Sequence, residues 1–296
     1  MNFFTRTCLR ILTLSLTGLT PLAGQAAAPQ GRHIALPGVN LWYTDTGGDG
    51  EPLVLLHANT GTSASWQYQQ DDFSRAGYRV IAFDRRGSGQ STPDSSSGPQ
   101  PGTVAQDLDA LVTQLGIERF HLLGIAGGGF IALDYAAWQG DKLQSLTVAA
   151  STGSIQEDEI QQFIKRIEIP GIREQSATYR EVGASYRGAN PEGLKKWHDI
   201  EEGARQVGVP SQPLRSPNTY KKIGQLNMPI SVISAGADLL APPALMTLWV
   251  KHLAQHEWTL IPDAGHAVAW ERPEQFNQTV LAFLAKHPIK RRRDPS

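Results

Sequence analysis

The chain has 296 residues, 40% of them hydrophobic, and a formal net charge of −1 at pH 7. This length and composition suit a globular protein with one large domain that carries an insertion. The balanced charge gives no reason to expect nucleic acid or an acidic surface as a partner.

The N-terminus has the layout of a secretory signal peptide. Two arginines precede the apolar run 11–19, and small residues follow it. This order predicts a signal peptide over residues 1–26, cleaved after Ala26. The apolar run is too short for a permanent membrane span, so we expect a secreted or periplasmic protein. The single cysteine, Cys8, lies in this segment, which excludes disulfides and thiolate catalysis from the mature chain.

Strands and helices alternate after the signal peptide. Residues 33–46 alternate as an edge hairpin does, with Pro37-Gly38 at the turn. The buried runs that follow predict strands at 52–58, 79–84, 120–125 and 143–150, with helices near 64–75 and at 103–115 and 127–138. This order is typical of a doubly wound, mostly parallel sheet with helices on both faces.

The alternation stops at Gly153 and resumes after Asn227. Residues 153–227 contain amphipathic pieces separated by prolines and no β-branched run, which predicts a helical insertion. Strands at 230–235 and 257–262 and helices at 242–254 and 273–285 follow. We therefore expect a core made of residues 29–152 and 228–288, a cap of residues 153–227, and a basic, solvated tail over residues 289–296.

The strand predicted at 120–125 runs into a helix through a glycine-rich turn. Gly124 and Gly128 stand at the outer positions of a G-x-S-x-G pattern, which places a nucleophilic serine on a sharp turn at the top of a sheet. The central residue is Ala126, whose methyl group cannot attack a carbonyl carbon.

Further polar motifs follow other strands. His57-Ala58-Asn59 ends one strand, and Asp84-Arg85-Arg86-Gly87-Ser88-Gly89-Gln90-Ser91 follows the next. Downstream, Asp238 and then His266 each lie on a loop just past a strand. With the glycine turn, these motifs resemble the α/β-hydrolase superfamily, of the α/β-hydrolase-1 type, over roughly residues 33–286. The resemblance implies that fold and a helical cap that acts as a lid.

The resemblance also implies roles for individual residues. His266 would be the catalytic base, and Asp238 would fix its tautomer. The backbone N–H groups of Asn59 and Gly127 would form an oxyanion hole, which needs no side chain. Ala58 stands where this loop usually has glycine.

Several other residues have predicted structural roles. His57 is expected to brace the loop that it begins, and the Asp84-Arg85-Arg86 turn is expected to hold neighbouring loops. Trp197, His198 and Tyr186 either line a pocket or pack the cap. We predict no cofactor and no metal, because the histidines lack ligand spacing.

Ala126 has three interpretations. The chain is a serine hydrolase whose nucleophile was changed to alanine, an enzyme that works without a serine, or a non-catalytic binding protein. Retention of Asp238 and His266 favours an enzyme. We expect an exported enzyme acting on a small, largely apolar carbonyl compound, by ester or lactone hydrolysis or related proton-transfer chemistry. The expected partner is a small molecule, and the oligomeric state stays open.

Overall fold

The computed structural model describes residues 31–289. The predicted signal peptide, residues 1–26, lies outside the described residues, as does all but the first position of the predicted tail 289–296. The described part holds nine strands: β1 (Gly31–Leu36), β2 (Val39–Asp45), β3 (Glu51–Leu56), β4 (Tyr78–Phe83), β5 (Thr92–Pro93), β6 (Phe120–Ile125), β7 (Leu143–Ala149), β8 (Ile230–Ala235) and β9 (Glu257–Ile261).

The strands form one sheet in the order β1-β2-β4-β3-β6-β7-β8-β9, with β5 pairing with β2. The predicted hairpin is present, because β1 and β2 pair antiparallel across the Pro37-Gly38 turn. From β4 to β9 every neighbouring pair is parallel. The mostly parallel sheet that the sequence predicts is therefore confirmed.

Helices cover both faces of this sheet. In chain order they are α1 (Gln67–Arg75), α2 (Val104–Gln114), α3 (Gly127–Gln139), α4 (Asp158–Ile167), α5 (Ala177–Glu181), α6 (Ala184–Ala189), α7 (Pro191–Glu202), α8 (Tyr220–Ile223), α9 (Pro243–Val250), α10 (Val268–Glu271) and α11 (Pro273–Ala285). Alternate residues of each strand enter different cores: Val54 packs with the residues of α2 and α3, whereas Leu55 packs with those of α1 and α11.

Several predicted boundaries differ from the structure, three of them as follows. The strand expected at 52–58 ends at Leu56, and the His57 ring then bonds the carbonyl of Ala58. The helix expected near 64–75 starts as a 3₁₀ turn, in which Thr62 and Ser65 form a capping box, and α1 begins only at Gln67. The helix expected at 242–254 stops at Val250.

The segment between β7 and β8 contains helices α4 to α8. Helices α5 to α7 enclose a small apolar cluster that includes Val182, Tyr186 and Trp197 and that packs on Trp270 of α10. This cluster holds the helical segment over the ends of the strands, where the polar motifs lie. Among the described residues, no helix is long and apolar enough to cross a membrane.

Candidate active site

The backbone at Ala126 has the geometry of a nucleophile elbow. Ala126 lies between β6 and α3 with φ 52° and ψ −116°, a region that residues with a side chain rarely adopt. Its N–H donates to the carbonyl of Ala149, and its own carbonyl accepts from the N–H of Gly129 and the hydroxyl of Ser151. Three hydrogen bonds therefore hold a conformation that costs about 1–3 kcal/mol.

Two glycines allow the chain to make this turn. A Cβ atom at Gly124 would clash with the carbonyl of Gly128, so strand and helix can approach only without side chains at this point. A Cβ atom at Gly127 would clash with the side-chain amide of Asn59. The elbow residue is thus packed directly against the loop that follows β3.

Asp238 and His266 form a buried pair beside the elbow. The Nδ1 atom of His266 lies 2.8 Å from Oδ2 of Asp238. The other oxygen of Asp238 accepts the N–H groups of Leu240 and Ala241, each at 2.8 Å. These bonds fix the carboxylate, which holds a proton on Nδ1 of His266 and makes Nε2 the ring nitrogen that Asp238 does not bind.

Three carboxylates set the charge of His266. Burial lowers the pKa of His266, but the charge and hydrogen bond of Asp238 outweigh it, helped by Glu181 and Glu271, and raise this pKa to about 8. The side chain of His266 is only 10% exposed. At neutral pH the ring is therefore mostly in its positively charged imidazolium form.

The loop after β3 is clamped by Arg85. Its guanidinium donates to the carbonyl of Ala58 at 2.6 Å and to Oδ1 of Asn59 at 3.1 Å. The backbone N–H of Arg85 donates to Nε2 of His57, and Nδ1 of that ring bonds the Ala58 carbonyl at 2.7 Å. Burial, followed by the charge of Arg85, holds the pKa of His57 well below its usual range. His57 is thus a neutral brace of the loop.

Ala58 fits this loop without strain. It is not among the described residues with positive φ, so the backbone at this position does not require the glycine that the family usually has. Among residues 31–289, the backbone N–H groups of Asn59 and Gly127 form no hydrogen bond. Both residues lie beside Ala126 in the wall of one cavity.

A cavity of about 330 Å³ connects these groups. We call it the elbow cavity; its walls include Asn59, Thr60, Ala126, Gly127, Glu181 and His266. A smaller space of about 40 Å³, the aromatic cavity, shares Thr60, Glu181 and His266 with it and is closed by Trp66, Trp197 and Trp270. Larger clefts of about 460 and 870 Å³ lie elsewhere, and neither is lined by His266 or Ala126.

Glu181 is a buried acid in this site that the sequence patterns did not indicate. It ends α5, lines both cavities and is 7% exposed. The hydroxyl of Thr60 donates to its Oε2 atom at 2.6 Å. Burial raises the pKa of Glu181, while His266, Thr60 and Arg180 oppose that rise.

Each remaining candidate residue either lines a cavity or lies in the cap away from the cavities. Trp197 lines the aromatic cavity. Tyr186 is buried in the cap cluster, and its hydroxyl accepts from Asn190. His198 is half-exposed and contacts Glu201 and Glu202 on its own helix, away from both cavities.

The turn after β4 holds neighbouring loops. Asp84 accepts the backbone N–H groups of Ser63 and Gln90 at 2.7 and 2.8 Å. Arg86 makes a two-pronged, buried ion pair with Asp107. No group of three potential metal ligands occurs in the described part of the chain.

Comparison with known proteins identifies the fold. The family model described as the alpha/beta hydrolase fold matches residues 51–167. The malate-bound structure of a thermophilic esterase from Thermogutta terrifontis superposes with a TM-score of 0.72 at 26% identity, over 88% of this chain and all of that one.

Two curated relatives cover most of the chain. A putative non-heme bromoperoxidase, BpoC, of Mycobacterium tuberculosis is 28% identical over 83% of this chain and 98% of its own length. A 2-hydroxy-6-oxononadienedioate/2-hydroxy-6-oxononatrienedioate hydrolase of Klebsiella pneumoniae is 26% identical over 84% of this chain and 92% of its own. The chain therefore has the α/β-hydrolase fold, and over most of its length it is similar to these proteins.

Proposed function

We propose that this protein is an exported hydrolase of small, largely apolar esters or lactones that works without a serine nucleophile. The observation that carries the proposal is Ala126, which keeps the strained elbow conformation at φ 52° although it has no hydroxyl. A binding protein has no use for that strain, which costs about 1–3 kcal/mol.

The groups around Ala126 support hydrolysis by water. A substrate carbonyl in the elbow cavity lies beside the N–H groups of Asn59 and Gly127, which stabilise negative charge on its oxygen. His266, held by Asp238, exchanges protons with the reacting groups. Water takes the part of the attacking nucleophile in this scheme, and the aromatic cavity, at about 40 Å³, receives a small apolar group such as the methyl of an acetyl ester.

The rate enhancements expected from these groups are sufficient for reactive esters. Oxyanion donors and binding alone leave roughly 10³–10⁴-fold catalysis in a serine hydrolase that has lost its nucleophile. A positioned acid or base adds about 10²–10⁴-fold. These factors suit labile esters and lactones and are too small for amides.

The proposal that the protein is exported rests on residues 1–26 alone. Their basic, apolar and small-residue order is that of a signal peptide. We accordingly place the reaction in the periplasm or outside the cell.

Hydrolysis assays with a matched pair of histidine variants test the proposal. We expect the parent to hydrolyse 4-nitrophenyl acetate and γ-butyrolactone, and His266→Ala to lose about 10²–10⁴-fold in kcat/KM. The control is His198→Ala, because His198 is half-exposed on α7 and contacts only cap residues. Full turnover by His266→Ala, or no hydrolysis by the parent, would contradict the proposal.

A further inference from the structure

Glu181 is the one buried acid of the elbow cavity that the pairing of His266 with Asp238 leaves unused. It reaches the cavity from cap helix α5 together with Arg180, whereas Asn59, Thr60 and His266 come from the core loops. Its only hydrogen bond from a side chain within the described residues comes from Thr60. The same acid also lines the aromatic cavity beside His266, so it lies where the two spaces meet.

Charged side chains from several elements face Glu181 and His266. Glu181 faces His266, the adjacent Arg180 and Glu201 of α7. His266 faces Asp238 from the loop after β8, Glu181 from α5 and Glu271 from α10. Asp238 is bound to Nδ1 of the ring, so Glu181 is the acid that shares the substrate cavities with the imidazole.

We propose that Glu181 is the general base that activates the attacking water, and that the His266 imidazolium is the general acid that protonates the leaving group. This assignment rests on the proposed function and divides its proton transfers between two residues. Alanine at the elbow makes the division useful, since no serine hydroxyl requires His266 as its base.

The cycle balances with an ester and water as the only reactants. The Glu181 carboxylate takes a proton from water while the water oxygen bonds to the carbonyl carbon, and the oxyanion receives the N–H groups of Asn59 and Gly127. The C–O bond to the leaving group then breaks as His266 donates its proton to the departing oxygen. Protonated Glu181 finally returns a proton to neutral His266, and the acid and alcohol leave.

The pKa values of the two groups agree with these roles. Burial raises the pKa of Glu181, and the three facing carboxylates overcome burial to raise that of His266 to about 8. Glu181 can act as a base only above its pKa, and His266 can act as an acid only below about 8. Activity should therefore rise as Glu181 ionises and fall as pH passes about 8. If neutral His266 were the base instead, activity would rise as pH passes about 8.

Kinetics of Glu181→Gln against Glu202→Gln test the assignment. Glu202 is an exposed cap glutamate and serves as the matched control. We expect Glu181→Gln to lose about 10²–10⁴-fold in kcat/KM on both 4-nitrophenyl acetate and phenyl acetate. In the parent, the fall above pH 8 should be steeper for phenyl acetate, because its more basic leaving group needs the acid.

Two further readouts test whether Glu181 titrates in the pH profile and is charged beside His266. Thr60→Val removes a hydrogen bond that lowers the pKa of Glu181, so the rising limb of the pH profile should move to higher pH. In Glu181→Gln, the pKa of His266 measured by NMR should fall, because an anionic neighbour is lost. This NMR titration needs no substrate and reports even on a variant without turnover.

The outcomes separate the two proposals. If the parent is active, His266→Ala is inactive and Glu181→Gln keeps wild-type rates, the assignment to Glu181 is wrong and the proposed function stands. Parent activity that rises through pH 8, or an unchanged His266 pKa in Glu181→Gln, also overturns the assignment. If the parent hydrolyses neither ester, both proposals fall.

Discussion

The hydroxyl of Ser151 donates a 2.8 Å hydrogen bond to the carbonyl of Ala126. Ser151 is fully buried at the end of β7, and Trp249 in turn donates to the Ser151 carbonyl. The elbow is therefore fixed from the neighbouring strand, through groups that do not touch the elbow cavity.

Removal of the Ser151 hydroxyl should destabilise the protein. We expect Ser151→Ala to lower the free energy of unfolding by about 1–3 kcal/mol, because the buried N–H of Gly153 loses its acceptor and the carbonyl of Ala126 loses one of its two donors. Urea unfolding measures the change. Ser185→Ala, at an exposed position of α6, is the control and should stay within about 0.5 kcal/mol of the parent. Equal stability of the two variants would contradict the role of this bond.

The charge of His266 should make stability depend on pH. Its pKa is raised to about 8 from the ordinary value of 6.5, so the folded state binds the proton more tightly than the unfolded state. The resulting stabilisation is complete below about pH 6.5 and is lost as pH rises through about 8, a change of about 2 kcal/mol.

Unfolding of His266→Gln across this range isolates the effect. The difference in unfolding free energy between parent and variant should shrink by about 2 kcal/mol as pH rises from about 6 to about 9. A difference that is constant with pH would mean that folding does not raise the pKa of His266.

The fold was largely predictable because buried β-branched runs alternate with helical segments. Strands β6 and β8 and helix α11 have the bounds that the sequence predicts. Two short elements were missed. β5 is a two-residue strand, Thr92–Pro93, and α10 is a single turn, so neither is long enough to show a period.

The candidate site was predictable only where it follows strand ends. The order of the elbow, Asp238 and His266 along the chain placed these residues together, because parallel strands end at one edge of a sheet. Glu181 had no such signal. It lies in a five-residue helix, and its partner Thr60 is 121 positions earlier in the chain, so only the packing of the cap brings the two together.

A substitution of Arg85 tests the loop after β3 and leaves the reacting groups intact. Lysine keeps the charge but cannot reproduce the forked contacts to Ala58 and Asn59. We expect Arg85→Lys to lower kcat by about 10–10²-fold with little change in KM, because the loop donors move relative to the carbonyl. Steady-state kinetics measure both constants. Arg119→Lys, at an exposed position, should match the parent, and a kcat for Arg85→Lys equal to that of the parent would show that the clamp is dispensable.

Covalent labelling of Ala126→Ser tests the central claim most directly, namely that the groups around Ala126 are arranged as a hydrolase site in which water replaces the serine nucleophile. The change adds one hydroxyl where Ala126 already has elbow geometry, beside His266 in the same cavity. After treatment with a serine-reactive phosphonate above pH 8, where His266 is neutral, intact-mass spectrometry should show one adduct on Ala126→Ser and none on the parent or on Ala126→Ser/His266→Ala. A folded Ala126→Ser variant that stays unlabelled and gains no activity on 4-nitrophenyl acetate would contradict the claim.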